Sequence, residues 1–154
     1  MKTFNSMAKY DSGVYISLNM KPESILKLEE YMKDNLDGCE LNHELHCTLI
    51  YSKKEYVGDI ETKVYEATCK PKKFSLFGPE KDVLVIELNS KFLEKRNNEL
   101  KKKYGFISDF EIYKPHCSLS YNCKDIDLDM LPPIDFDIIF HEETVEPLDK
   151  EFFK

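Results

Sequence analysis

Two stretches of this chain are nearly the same: His46-Cys47-Thr48-Leu49-Ile50-Tyr51-Ser52 and, 70 positions on, His116-Cys117-Ser118-Leu119-Ser120-Tyr121-Asn122. In a chain of 154 residues such a pair points to a compact duplication of two small halves. Side chains alternate between the faces of a strand. That parity puts His46 with Thr48, and His116 with Ser118, on one face. It puts Cys47, Leu49 and Tyr51, like Cys117, Leu119 and Tyr121, on the other. One face is apolar enough to lie under helices; the other offers an imidazole and a hydroxyl from each copy. If a pseudo-twofold relates the halves, two imidazoles and two hydroxyls converge on one cleft.

The surrounding pattern is consistent with that picture. Residues 14–20 are rich in strand-favouring types, and Pro22 opens a helix to Leu36 in which Ile25, Leu28 and Met32 recur at helical spacing. A strand over 44–52 is followed by a mixed stretch, 53–70, with room for a short helix. Residues 74–77, the turn Gly78-Pro79 and residues 83–88 predict an antiparallel pair. Ser90 caps a second helix from Lys91 to about Tyr104. Strands over 116–121 and from about 134 to 145 complete the set, and the first dozen residues read as an arm or loop. Helices separated by strands in this order indicate an α+β fold, one domain of two similar lobes spanning residues 1–154.

A histidine near pKa 6.5 serves as base or acid at neutral pH, and two of them flanking a phosphodiester perform both tasks in one displacement. One takes a proton from a ribose 2′-hydroxyl or from water; the other gives one to the departing oxygen. Thr48 and Ser118 are placed to hold the non-bridging phosphate oxygens, where charge gathers. No metal and no cofactor is called for.

Composition narrows the substrate. With 22 Lys+Arg against 29 Asp+Glu the net charge is −7, and Arg96 is the only arginine. A groove for long nucleic acid needs a basic surplus, so the expected partner is a small anionic molecule. No stretch approaches the roughly 18 apolar residues of a membrane span, and no signal-peptide run is present, so the expectation is a cytosolic protein. The five cysteines show no CxxC pair, which supports neither structural disulfides nor a cysteine zinc site. Cys47 and Cys117 fall on the buried parity and read as small hydrophobes rather than nucleophiles. His43 has no third ligand at a familiar distance, and His141 reads as chemically idle. The run Lys101-Lys102-Lys103 reads as a solvated helix end suited to the dipole, and Lys114 as an exposed lysine close enough to the second copy to help neutralise phosphate.

The tetrapeptides HCTL and HCSL, with the intervening FSLFGPEKDVLVIEL, resemble the paired His-x-(Thr/Ser)-hydrophobic signature of the two-histidine phosphoesterase superfamily, which includes LigT-like enzymes. The resemblance covers roughly residues 14–146. It implies a bilobal fold of two antiparallel sheets around a cleft, with His46 and His116 as the acid–base pair and Thr48 and Ser118 as phosphate-binding hydroxyls. Ser118 departs from the commoner threonine. The AKY arm, the LHCTLIYS block and the EPLD tail are similar to bacteriophage anti-CBASS phosphodiesterases. Those enzymes degrade cyclic di- and trinucleotide signals such as cyclic GMP–AMP in the bacterial host cytoplasm. That likeness implies Tyr10 against a base, Glu146 at a base edge and Phe152 as the aromatic of a closing lid. RNA-end processing of 2′,3′-cyclic phosphates, and a module that binds a cyclic nucleotide without cleaving it, are the alternatives.

Overall fold

A computed structural model of the chain describes residues 9–108, 112–123 and 125–148, so Phe152 lies outside the described residues. The elements run β1 (Val14–Met20), α1 (Pro22–Asn35), β2 (Glu40–Leu41), β3 (His46–Ser52), β4 (Val64–Phe77), β5 (Val83–Asn89), α2 (Lys91–Tyr104), β6 (His116–Asn122) and β7 (Ile138–Pro147). The short helix expected within 53–70 is absent: strand β4 starts at Val64 and no helix precedes it there. From Val64 the exposed and buried residues alternate with a period of two, which is a strand's pattern and not a helix's.

Every strand pairing is antiparallel, and the strands lie in the order β2-β6-β5-β4-β7-β1-β3. The long β4 serves both halves: residues 64–69 pair with β7, and residues 70–77 with β5. One lobe is therefore built on β1, β3, β7 and the start of β4, the other on β2, β5, β6 and its end. Although β3 and β6 lie towards opposite margins of this order, they touch. The sheet turns round on itself until the two repeat strands meet.

Both repeat strands carry the same irregularity. Against β1, Thr48 pairs with Ser17 and Ile50 with Ile16, which leaves Leu49 as an extra residue. Against β5, Ser118 pairs with Val85 and Ser120 with Leu84, which leaves Leu119 extra. A bulge of one residue reverses side-chain parity beyond it. Tyr51, expected on the buried face, consequently pairs with Tyr15 on the face of His46. Tyr121 is likewise 46% exposed rather than buried.

The opposite face is the core. Ile16, Leu18, Cys47, Ile50, Leu84, Ile86 and Cys117 are buried there together with Leu28 and Met32 of α1 and Leu93 and Leu100 of α2. Helix α2 is capped by the Ser90 hydroxyl, which accepts the Leu93 N–H at 3.1 Å. The only arginine fastens this helix: Arg96 donates from Nε and Nη2 to the two oxygens of buried Glu143 on β7, at 2.6 and 2.8 Å. Tyr65 donates a further bond to that carboxylate at 2.6 Å. Burial acts to raise the Glu143 pKa, but the bonds from Arg96 and Tyr65 outweigh it and hold the carboxyl below its ordinary value.

Cys39 and Cys123 form a disulfide across 84 residues with their Cα atoms 5.6 Å apart, contrary to the expectation that the cysteines form none. Their spacing belongs to no motif. The pairing of β2 with β6 is what brings the turn after α1 beside the end of β6.

Candidate active site

Each histidine opens its strand, and each is held in the same way. His46 Nδ1 lies 2.7 Å from the Glu44 carbonyl and His116 Nδ1 lies 2.8 Å from the Lys114 carbonyl, two residues back in both cases. A carbonyl only accepts, so Nδ1 carries the hydrogen in both rings. Nε2 is thereby left as the atom that takes or gives a proton. Beneath the rings the cysteines cross over: the His116 backbone N–H is directed at the Cys47 sulfur, and that of His46 at the Cys117 sulfur. Burial pushes the Cys47 thiol up to about 12 and the Cys117 thiol higher still, so both are inert packing groups at neutral pH.

The two bulges are clamped reciprocally. A bulge turns carbonyls away from the ladder, and such groups need other partners when shielded from water. In the first copy the Tyr113 hydroxyl donates to the Thr48 carbonyl and Asn97 Nδ2 to that of Leu49, both at 2.7 Å. In the second, Asn42 Nδ2 donates to the Ser118 carbonyl at 2.7 Å and its backbone N–H to that of Leu119 at 2.8 Å. Asn42 stands in the loop entering β3, yet it secures β6. Tyr113 stands in the loop entering β6, yet it secures β3. Each half thus fixes the bulge that aims the other half's hydroxyl.

The site's flanks differ. Tyr15 on β1 reaches His46 Nε2 at 2.7 Å and Thr48 Oγ1 at 3.0 Å. With the Nδ1 hydrogen on the Glu44 carbonyl, the tyrosine donates to Nε2 and accepts from the threonine. Burial raises the Tyr15 pKa, which keeps this hydroxyl protonated. Beside His116 the cross-strand neighbour is Glu87, a buried carboxylate bonded by the Ser75 hydroxyl. The Phe77 ring meets His116 edge-on with centroids 4.8 Å apart. Burial lowers the His116 pKa; the charge of His46 adds to that, while the Lys114 carbonyl and Glu87 oppose it. The charge of His46 is felt at His116 and β3 touches β6, so the two imidazoles are neighbours across that strand contact.

His46, Thr48, His116 and Ser118 therefore lie on the facing surfaces of two adjoining strands. Glu146 is exposed on β7 directly across from Tyr15, whose hydroxyl feels its charge. Tyr10 is elsewhere. It is 3% exposed, bridged to Tyr56 and packed against that ring, so it offers no face to a base in the cleft. Tyr15, Phe77, Asn42 and Tyr113 went unnoticed in the sequence. For Tyr15 a signal existed: Val14, Ile16, Leu18 and Met20 alternate with Tyr15, Ser17 and Asn19, a half-buried strand that turns its polar side to the cleft. Among the described residues no group of three or more His, Cys, Asp or Glu is placed to hold a metal ion.

Comparison with known proteins assigns this architecture. The model of the family described as anti-CBASS protein Acb1 matches residues 12–154. The Acb1 protein of Escherichia phage RB16 is 30% identical over 165 aligned positions, covering 97% of this chain and 89% of the relative. That of Salmonella phage S16 is 24% identical over 140, covering 90% of each. Among solved structures, E. coli LigT in complex with NADP+ superposes with a TM-score of 0.59 at 14% identity, covering 88% of this chain and 87% of LigT. A second crystal structure, described as a phosphoesterase, gives the same TM-score at 14% identity, with coverage of 86% and 85%. These two likenesses establish the LigT-like fold.

Proposed function

Because the chain belongs to the Acb1 anti-CBASS family, we propose that it is a phosphodiesterase that opens small cyclic oligonucleotide signals, such as 3′,3′-cyclic GMP–AMP, within the host bacterium and so counteracts CBASS defence. The observation that carries the chemistry is the matched pair of imidazoles, each with Nδ1 tied to the carbonyl two residues back, which leaves Nε2 as the atom for proton transfer.

The reaction needs only groups of this chain. Nε2 of one histidine takes the proton of a ribose 2′-hydroxyl as its oxygen bonds to phosphorus. The bond from phosphorus to the 5′-oxygen breaks, and that oxygen takes the proton carried on Nε2 of the other histidine. The rings have then exchanged protonation states, which suits them to add water across the resulting 2′,3′-cyclic phosphate and leave a linear product. Thr48 and Ser118 hold the non-bridging oxygens during both steps. The Tyr15 hydroxyl keeps Thr48 and His46 in register, and Glu146 faces a base edge from the far side of Tyr15.

The test is incubation of purified protein with cyclic GMP–AMP in EDTA. Linear product is expected, with turnover lost by roughly 10²- to 10⁴-fold in His46→Ala and in His116→Ala and with a 2′-deoxy analogue left intact. Untouched cyclic substrate, or arrest by the chelator, overturns the reading. Cleavage confined to oligonucleotides ending in a 2′,3′-cyclic phosphate would replace it with RNA-end processing.

A further inference from the structure

A cavity of about 610 Å³ begins at Thr48 and His116 and continues past the margin of β3 to the last turn of α2. That volume falls within the roughly 300–1,000 Å³ typical of small-molecule sites. Tyr51, Phe77, Ile107 and Ile112 are among its walls, and Lys101 and Lys114 bring positive charge. Among the described residues no carboxylate lines it, although the chain carries 29 acidic residues and a net charge of −7. Lys101 is half-buried, one turn after Asn97, whose amide holds the Leu49 carbonyl. Its neighbour Lys103 pairs with Glu61 at 3.5 Å; Lys101 makes no ion pair among the described residues.

A cyclic dinucleotide carries two phosphates on one ring. When the first is gripped between the histidines, the second must lie to one side at a fixed remove, and its nucleoside needs a ring-lined wall. Only a cavity that is cationic, aromatic and continuous with the reacting groups meets both needs. Resting on the function proposed above, we propose that this cavity is the subsite for the second nucleotide, with Lys101 as the specificity-determining cation for the phosphate that is not cleaved. The lysine run at the end of α2 is therefore divided in function. Lys101 faces substrate, and Lys102 is a solvated helix end.

The test compares cyclic GMP–AMP, which has two phosphates, with a linear ribodinucleoside monophosphate, which has one. Lys101→Ala is expected to raise KM for the cyclic substrate about tenfold, the loss of one charge-assisted contact. For the linear substrate KM should move less than twofold. Lys101→Arg should recover most of the loss, and Lys102→Ala should change neither substrate. If wild-type protein cleaves the cyclic substrate and Lys101→Ala leaves its KM unaltered, or raises both KM values equally, the subsite is overturned while the phosphodiesterase reading stands. If wild-type protein cleaves neither, that reading fails and the subsite falls with it.

Discussion

Asn42→Ala removes a side chain that touches no reacting atom yet fixes the strand bearing Ser118 and His116. Its amide donates to the Ser118 carbonyl at 2.7 Å and to the Glu44 carbonyl at 3.3 Å, and its oxygen accepts the Glu44 N–H at 3.0 Å. Asn42 is 6% exposed, so truncation leaves the Ser118 carbonyl shielded and without that donor, at a cost of about 1–3 kcal/mol. Glu44 is exposed and regains water, so the two bonds made there add little. A total near 2 kcal/mol shifts the melting midpoint of a domain this size by about 4–8 °C and leaves it folded at 25 °C, given the usual stability of about 5–15 kcal/mol. The effect on catalysis is expected to be larger. The bulge at Leu119 sets the direction of the Ser118 hydroxyl, and a displacement near 1 Å at such a group costs about 10²-fold in rate. Urea unfolding, together with hydrolysis of saturating cyclic GMP–AMP at 25 °C, separates the two effects: a kcat reduced by about 10- to 100-fold with KM nearly constant is the expected result. Loss of about 2 kcal/mol with kcat unchanged would show that the bulge holds its shape without Asn42, and the clamp argument would be wrong.

Tyr15→Phe deletes the hydroxyl between His46 Nε2 and Thr48 Oγ1; kcat/KM for cyclic GMP–AMP should fall about tenfold or more, with stability altered by less than about 1 kcal/mol. Undiminished hydrolysis would remove Tyr15 from the mechanism. Arg96→Met strands the buried Glu143 carboxylate and should cost about 3–5 kcal/mol in urea unfolding at pH 7, whereas an unchanged midpoint would refute the anchoring of α2. Because the folded-state pKa of Glu143 lies below its ordinary 4.5, the pair's contribution is fully present above that pH and is lost as pH falls through the lower folded value. A wild-type midpoint that is flat through this acid window would contradict the assignment. Cys39→Ser should lower stability by about 2–4 kcal/mol relative to the oxidised protein. Wild-type protein should lose the same amount on addition of reductant, and insensitivity to reductant would disprove the pairing.

What was legible in the sequence was whatever depends on period and composition. The 3.6-residue recurrence of Ile25, Leu28 and Met32 located α1, Ser90 located the start of α2, and the repeated heptad located β3 and β6. Parity carried the argument as far as Leu49 and Leu119 and failed beyond them, at Tyr51 and Tyr121, because a bulge is enforced by partners distant in sequence. Nothing local to Leu49 or Leu119 announces Asn97 or Asn42 as the groups that receive the displaced carbonyls. The disulfide was illegible for the same reason. Tyr10 was set against a base only by the likeness to the anti-CBASS enzymes; an aromatic ahead of the first strand has no period of its own to declare its side. Its burial follows from the turn at Gly13, where φ is 119° and an added Cβ would sit 2.1 Å from the Ser52 oxygen.

The position of β7 between β4 and β1 bears on how the molecule is assembled. A ribosome that has released everything up to residue 137 has delivered both histidines and both clamps, but the half containing His46 still has a gap where two strands await a shared neighbour. The catalytic cleft must therefore mature late, after a long-range insertion of the slow-forming kind. Any shortening that removes residues 138–147 should silence the enzyme although every reacting group remains on the chain.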